Sequence, residues 1–184
     1  VVILLMTPAL TASTVAEEFV TGTMEMLRLT PLTSWKFFMG KFWAGILYMA
    51  ILLASSCPVY FFFLFMEIKL DGNPWLVLEI VAVQSAFLVL CATCGLWSSA
   101  LTLNTQKATG LAYSVLFLLV GTPFVLHSFL SDGGVLELGL SASPFVVCIR
   151  QASLLSYREF DIFALHFVWV GLLTVLMAGH AMLR

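Results

Sequence analysis

The feature that most constrains this chain is a series of long stretches without a charged residue. Residues 42–66, 80–106, 108–131 and 162–183 contain no Asp, Glu, Lys or Arg. Each stretch exceeds the roughly 20 residues that carry a helix across a bilayer core. Backbone groups in hydrocarbon must be paired within their own segment, and these runs lack the alternation of barrel strands. The sequence therefore predicts an all-α, polytopic transmembrane helical bundle.

Composition points the same way. The chain has 61% hydrophobic and 10% charged residues with a mean hydropathy of +1.07, whereas soluble domains carry roughly 25% charged residues. We therefore expect membrane lipid to cover much of its surface. The net charge of -2 comes without a basic block, so nucleic acid is not an expected partner.

We predict a single transmembrane domain over residues 1–184. Its predicted parts are the end of a span at 1–12, a cytoplasmic helical region at 14–33, complete spans at 42–66, 75–101, 108–130 and 162–183, and re-entrant or interfacial external helices at 135–157. The charge-free part of that external segment is too short to cross. Val1 lies in an apolar run about half a crossing long, so we expect this chain to be a fragment.

Lys and Arg indicate the orientation. The predicted spans place one group of basic residues on one side of the membrane and a second group on the other. The first group is Arg28, Lys36, Lys41, Lys107 and Arg184, and the second is Lys69, Arg150 and Arg158. Because cytoplasmic connections carry an excess of these residues, the first group is predicted to be cytoplasmic.

The cytoplasmic region 14–33 is predicted to hold a short amphipathic helix. Ser13 or Thr14 would cap it, Glu17 and Glu18 would lie in its first turn, and Pro31 would end it. Such a helix either lies in the lipid headgroups or docks a soluble partner.

An ordered motif in this region favours docking. The run is Glu18-Phe-Val-Thr-Gly22-Thr23-Met-Glu25-Met-Leu27-Arg-Leu-Thr30-Pro31-Leu32-Thr33, followed by Lys36 and Gly40-Lys41. It resembles the E-x-x-x-G-T-x-E-x-L-x-x-T-P-L-[ST] signature of the type 2 permeases of ATP-binding-cassette (ABC) transporters. In that family the segment is a coupling helix that sits in a cleft of the ATPase subunit.

Two further segments resemble the same family. Gly95-Leu-Trp-Ser98-Ser99 followed by Asn104-Thr-Gln-Lys107 is similar to a span end and its short cytoplasmic turn, and Ser143-Pro144-Phe145 resembles an element of the last external connection. The resemblance covers essentially the whole chain. The parts of a family member that it would not include are the cytoplasmic start, the first span and most of the second span. The chain departs from the family at Phe19-Val-Thr21, where members often carry charged residues.

The resemblance implies an ABC exporter permease of the bacterial or archaeal cytoplasmic membrane. Its implied partners are an ABC ATPase subunit, a second permease copy or homologue, and membrane lipid. The implied coupling residues are Glu18, Gly22, Thr23, Glu25, Leu27, Thr30 and Pro31. The chain has no G-x-x-x-x-G-K-[ST] motif, so we expect ATP and Mg to be bound by the partner and this chain to have no catalytic, cofactor or metal residues.

Polar residues inside predicted spans are the remaining candidates. Glu79 and Gln84 are possible pathway residues, although Glu79 can instead reach the interface, and Gln84 and Ser85 can join neighbouring helices. We expect His127, His166 and His180 at the interfaces, and Cys91 and Cys94 to serve packing.

Two other classes remain as alternatives. A polytopic membrane enzyme would need a convergent catalytic set such as H-E-x-x-H, and the sequence contains none. The second alternative is a membrane scaffold protein that transports nothing. Only the resemblance of residues 18–33 to the coupling motif argues against it. Few charges in the spans favour an amphipathic or lipid-linked cargo.

Overall fold

The computed structural model describes residues 2–23, 26, 29, 33–55, 57–69, 75–102, 104–129 and 160–183. These residues form helices α1 (Val2–Val20), α2 (Ser34–Ser55), α3 (Cys57–Lys69), α4 (Trp75–Leu101), α5 (Thr105–Phe129) and α6 (Phe160–Leu183). The predicted all-α class is confirmed over this part of the chain. The predicted re-entrant segment at 135–157 lies outside it.

Three of these helices are long and apolar enough to cross a membrane. The candidate spans are Trp35–Ser55 in α2, Leu78–Leu101 in α4 and Ala164–Leu183 in α6. The share of buried residues in an 18-residue window is 56% for the α4 span but 12% and 11% for the other two, so the α4 span is the most enclosed of these three. The predicted span at 108–130 falls on α5, which is not among the three, and its crossing of the membrane remains a prediction.

Two sequence-based boundaries differ from those of the structure. The predicted span at 42–66 falls on α2, which begins at Ser34, and on α3, which begins at Cys57. Ser56 lies outside the described residues, and Pro58 is the second residue of α3. No helix begins at Ser13 or Thr14, because α1 runs through both residues.

The hydroxyl groups explain why no cap forms there. Ser13 Oγ donates to the Leu10 carbonyl at 3.2 Å, and Thr14 Oγ1 donates to the Thr11 carbonyl at 2.8 Å. Each hydroxyl thus bonds a carbonyl of its own helix instead of accepting from a free amide. Ser13 and Thr14 are therefore interior residues of α1.

The chain divides into two compact units. The first comprises Val1–Met49, Leu88–Leu118 and Gly171–Arg184, and the second comprises Ala50–Phe87 and Leu119–Val170. Lys36, Lys41 and Lys107 belong to the first unit and Lys69 to the second. A compact unit is defined by its internal contacts and not by a side of the membrane, so the predicted orientation remains a prediction.

The first unit packs around small residues. One cluster joins Ala12 and Ala16 of α1 to Ala108 and Ala112 of α5. A second joins Val15, Phe38 and Leu96 from α1, α2 and α4. Cys91 and Cys94 are also buried in α4, and small side chains of this kind let helix backbones approach closely in lipid.

Asn104 begins α5. Its side-chain oxygen accepts from the Gln106 amide at 3.0 Å, and its carbonyl accepts from the Ala108 amide at 2.9 Å. This is the geometry of an N-cap, in which a side-chain oxygen satisfies an amide that the helix leaves free. The short polar turn identified in the sequence thus separates α4 from α5.

Candidate functional site

The end of α1 carries the first residues of the predicted coupling segment. The Thr21 amide donates to the Glu17 carbonyl at 2.9 Å, and Gly22 follows with a φ of 76°. A left-handed residue after the last helical turn is a common helix ending, and glycine adopts it without steric cost. Gly22 is therefore required by the turn itself.

Glu18 lies in the last turn of α1, not in the first turn of a separate helix as the sequence predicted. A carboxylate near a helix C-terminus is unfavourable because that end carries partial negative charge. Lys41 Nζ of α2 offsets this by donating to Glu18 Oε1 at 2.7 Å. Thr23 Oγ1 also donates to Glu18 Oε2.

These two donors set the protonation behaviour of Glu18. The hydrogen bond from Lys41, followed by that from Thr23, lowers the pKa of the Glu18 carboxyl from its ordinary value of 4.5. Both donors stabilise the ionised form. Glu18 is therefore a carboxylate at neutral pH, held between the end of α1 and the second turn of α2.

Beyond Gly22, apolar side chains are exposed. Met26 is 73% exposed and Leu29 is 88% exposed, and Val20 just before the turn is 68% exposed. Glu25, Leu27, Thr30 and Pro31 of the predicted coupling set lie outside the described residues. The described part thus joins Glu18 to Thr23 across the Gly22 turn, and the apolar side chains of Val20, Met26 and Leu29 are each exposed.

The helix that carries this site is anchored to α4. Ser99 Oγ accepts from the amides of Val15 at 3.2 Å and Ala16 at 2.8 Å. Ser99 is itself fully buried. A side chain of α4 thus bonds the backbone of α1 one turn before Glu18.

A second anchor lies one turn earlier at Thr11. A Cβ atom built on Gly95 would overlap the Thr11 side chain and lie 3.1 Å from the Ala12 amide nitrogen. A Cβ atom on Gly45 of α2 would lie 2.8 Å from Thr11 Cγ2. Thr11 therefore fills the space that two glycines on two different helices leave open.

Sequence reasoning did not identify Thr11, Gly45 or Ser99 as part of this site. The small-residue run Gly95-Leu-Trp-Ser98-Ser99 was recognised, but which helix it contacts depends on tertiary packing. The spacing Thr7-x-x-x-Thr11 was the available signal, since small residues four apart often mark a helix contact in membranes.

Another pair joins α4 to α6 within the first unit. Trp97 Nε1 donates to His180 Nδ1 at 3.0 Å, and His180 is exposed. Burial within the protein does not measure depth in a membrane, so the interfacial positions of His180 and His166 remain predictions. His166 lies two residues inside the candidate span Ala164–Leu183, and its side chain is fully buried. The side chain of His127 lies outside the described part.

The two pathway candidates lie in the second unit. Tyr60 of α3 donates its hydroxyl hydrogen to Gln84 Oε1 of α4, so Gln84 joins neighbouring helices as predicted. Ser85 does not, because its hydroxyl donates to the Ala82 carbonyl of its own helix at 2.8 Å. Glu79 is half-buried one turn inside α4. The described contacts leave a pathway role for Glu79 and Gln84 as a prediction.

The cysteines are consistent with packing. Cys91 and Cys94 are free and buried, and Cys94 Sγ lies 3.8 Å from the Ala112 carbonyl oxygen of α5. Cys57 is free and exposed. Within the described ranges, no group of three or more His, Cys, Asp or Glu side chains could hold a metal ion.

Comparisons with known proteins return no match: no family model, curated protein or solved structure is similar to this chain.

Proposed function

We propose that this chain is the membrane-spanning permease subunit of an ATP-driven ABC exporter, coupled to a separate ATPase subunit at the end of α1. In this proposal the segment from Glu18 to Pro31 sits in a cleft of the ATPase. ATP and Mg are bound by that partner, and a second permease copy or homologue completes the transporter in a cytoplasmic membrane.

The observation that carries the proposal is the contact between the two ends of the motif. Glu18 is its first residue and Lys41 its last, and their side chains meet at 2.7 Å. The intervening segment therefore begins in α1 and ends in α2, and this ion pair holds its two ends together. A segment whose ends are already held in place loses less conformational entropy when it docks on a partner.

The contacts that fix α1 to α4 support the mechanical part of the proposal. Coupling between the ATPase and the permease requires one structural element whose equilibrium between two positions is shifted by both proteins. Ser99 and Thr11 fix α1 against α4 within two turns of Glu18. A push on the segment beyond Gly22 would then move α1 and α4 together instead of bending α1 alone.

The proposal is tested by co-expression with a Walker A-containing ATPase encoded beside the gene of this chain. We expect the two proteins to co-purify from detergent. Gly22→Trp and Glu25→Lys should each weaken the association by roughly tenfold or more, as loss of a central interface contact does. Glu17→Lys is the matched control, because Glu17 is an exposed neighbour that is not in the motif.

Membrane insertion is measured for every variant by extraction and protease protection. Undiminished co-purification of the Gly22 and Glu25 variants, with their spans inserted, contradicts docking through this segment. Failure of the wild-type chain to bind any Walker A protein in a pull-down contradicts the exporter assignment itself.

A further inference from the structure

The hydrogen bond between Trp97 of α4 and His180 of α6 fixes the protonation state of the imidazole. An indole N–H can donate but cannot accept, so His180 Nδ1, which lies 3.0 Å from Trp97 Nε1, presents its lone pair to the indole. The single proton of the neutral ring is then on Nε2. Because an imidazolium carries a proton on both nitrogens, protonation of His180 and this hydrogen bond exclude each other.

His180 is also the polar link between this half of α6 and another helix. Residues 171–183 belong to the first unit, and their only polar side chains are Thr174 and His180. Thr174 Oγ1 has no hydrogen-bond partner within the described part of the chain. The other contacts of this segment are apolar, because Ala178, Ala181 and Met182 pack against the cluster of Val15, Phe38 and Leu96.

The attachment of α6 is sparse enough for one hydrogen bond to matter. The 18-residue window of its candidate span is 11% buried, so few other contacts hold this helix against its neighbours. His180 is exposed, so the protein does not enclose its ring. Loss of the bond to Trp97 therefore removes a sizeable part of what fixes this end of α6.

Neighbouring charges do not replace that bond. Helices α1, α2 and α4 pack against this end of α6, and their nearby charged or titratable side chains are Glu17, Glu18, Lys36, Lys41, Cys91 and Cys94. Glu18 and Lys41 pair with each other, and His180 forms no ion pair with any described residue. The hydrogen bond from Lys41 lowers the pKa of Glu18 from 4.5, so that pair stays charged above about pH 5.

We propose that the Trp97–His180 hydrogen bond is a pH-sensitive latch, which holds the last turns of α6 to α4 when the imidazole is neutral and releases them when it is protonated. Histidine is the side chain whose charge ordinarily changes between about pH 5 and pH 8. Acidification on the side of the membrane that this end faces opens the latch. Release frees the end of α6 from α4, whose Ser99 holds α1.

The proposal is tested by measuring the distance between the ends of α5 and α6 in the full chain in nanodiscs. Gln106→Cys and Leu183→Cys place spin labels at two exposed positions, in a chain whose native cysteines are replaced, for double electron–electron resonance. From pH 8 to pH 5.5 the ratio of displaced to docked distances should rise about threefold to tenfold, the factor that one net hydrogen bond contributes. A distance distribution that stays constant over this range overturns the latch.

Two variants identify the groups responsible. His180→Asn attaches the acceptor Oδ1 to the same carbon that carries Nδ1, so it keeps an acceptor for Trp97 that does not titrate. Trp97→Phe removes the donor and keeps the imidazole, so the displaced distances should be populated already at pH 8. Both variants should lose the response to pH, and a response that persists in either one contradicts the proposal. These measurements require no ATPase, so their failure is distinct from failure of the proposed function.

Discussion

At the residue scale, the site depends on where small side chains permit close contact. Thr11 occupies space left by Gly45 and Gly95, and Ser99 reaches two backbone amides of α1. None of these residues is chemically reactive in this setting. Their effect is to fix the position of α1, and through it the position of Glu18.

Gly95→Ala should destabilise the protein. The added methyl group would overlap Thr11 and approach the backbone of Ala12, and overpacking of this kind costs about 1–3 kcal/mol. Gly110→Ala is the control, since a Cβ atom there meets nothing within 4 Å and alanine favours a helix by about 1 kcal/mol. Thermal unfolding in detergent measures both, and equal midpoints would contradict the packing described.

Ser99→Ala should also lower stability. It removes the side-chain acceptor of the Val15 and Ala16 amides, and a buried hydrogen bond contributes about 0.5–1.5 kcal/mol. Ser114→Ala serves as control because that exposed hydroxyl bonds its own helix. Faster hydrogen exchange at Val15 and Ala16 in Ser99→Ala alone is the expected signature, and unchanged exchange contradicts the anchor.

At the element scale, α1 illustrates how a local signal is overridden. Ser13, Thr14, Glu17 and Glu18 together read as a helix beginning, yet α1 passes through all four. The hydroxyls bond backward to carbonyls, and the helix ends at a left-handed Gly22 instead. Glu18 consequently lies at the unfavourable end of the helix dipole, where Lys41 stabilises it.

Glu18 should make the link between α1 and α2 sensitive to acid. Because its folded pKa is below the ordinary 4.5, its contribution is fully present above about pH 5. It is lost as the pH falls through the lowered value. Both side chains of the pair are about a quarter exposed, so we expect a contribution below about 1 kcal/mol.

The measurement compares the stability of the wild type and Glu18→Gln from pH 7 to pH 3. The difference between them should shrink toward zero on acidification. A constant difference would show that the amide replacement acts through packing. Lys41→Glu combined with Glu18→Lys should recover part of the stability that each reversal loses alone, which distinguishes a direct pair from two separate charges.

At the scale of the whole molecule, the described cations sort with the two compact units. Lys36, Lys41 and Lys107 share one unit, and Lys69 belongs to the other. Because these units are defined by contacts, the side of the membrane on which the three lysines lie remains a prediction from the excess of Lys and Arg in cytoplasmic connections.

Accessibility labelling should locate Met26 and Asn104 on the cytoplasmic side. Single cysteines at these two exposed positions, in a chain whose native cysteines are replaced, should react with an impermeant maleimide in inverted vesicles but not in intact cells. A cysteine at Asn73 should show the opposite pattern. Labelling of Met26 from outside would remove the basis for ATPase coupling.

The bounds of some helices could be predicted from the sequence and those of others could not, and the difference has a physical cause. The bounds of α4 were predicted as found, because a long apolar run in lipid has no stable alternative to a helix. The start of α2 differs from the predicted start of the span at residue 42, because Lys36 and Lys41 lie within α2 and not before it. Long cationic side chains can extend toward the interface and so permit a helix to begin earlier.

The sequence by itself determined the helical class and the apolar surface, because these depend on charge spacing and on the cost of unpaired backbone in hydrocarbon. Only the tertiary structure decided that Lys41 meets Glu18, that Ser99 holds α1, and that Tyr60 of α3 meets Gln84 of α4. Such contacts join residues far apart in the chain. They depend on which helix faces pack together, and a single sequence does not encode that choice in any local pattern.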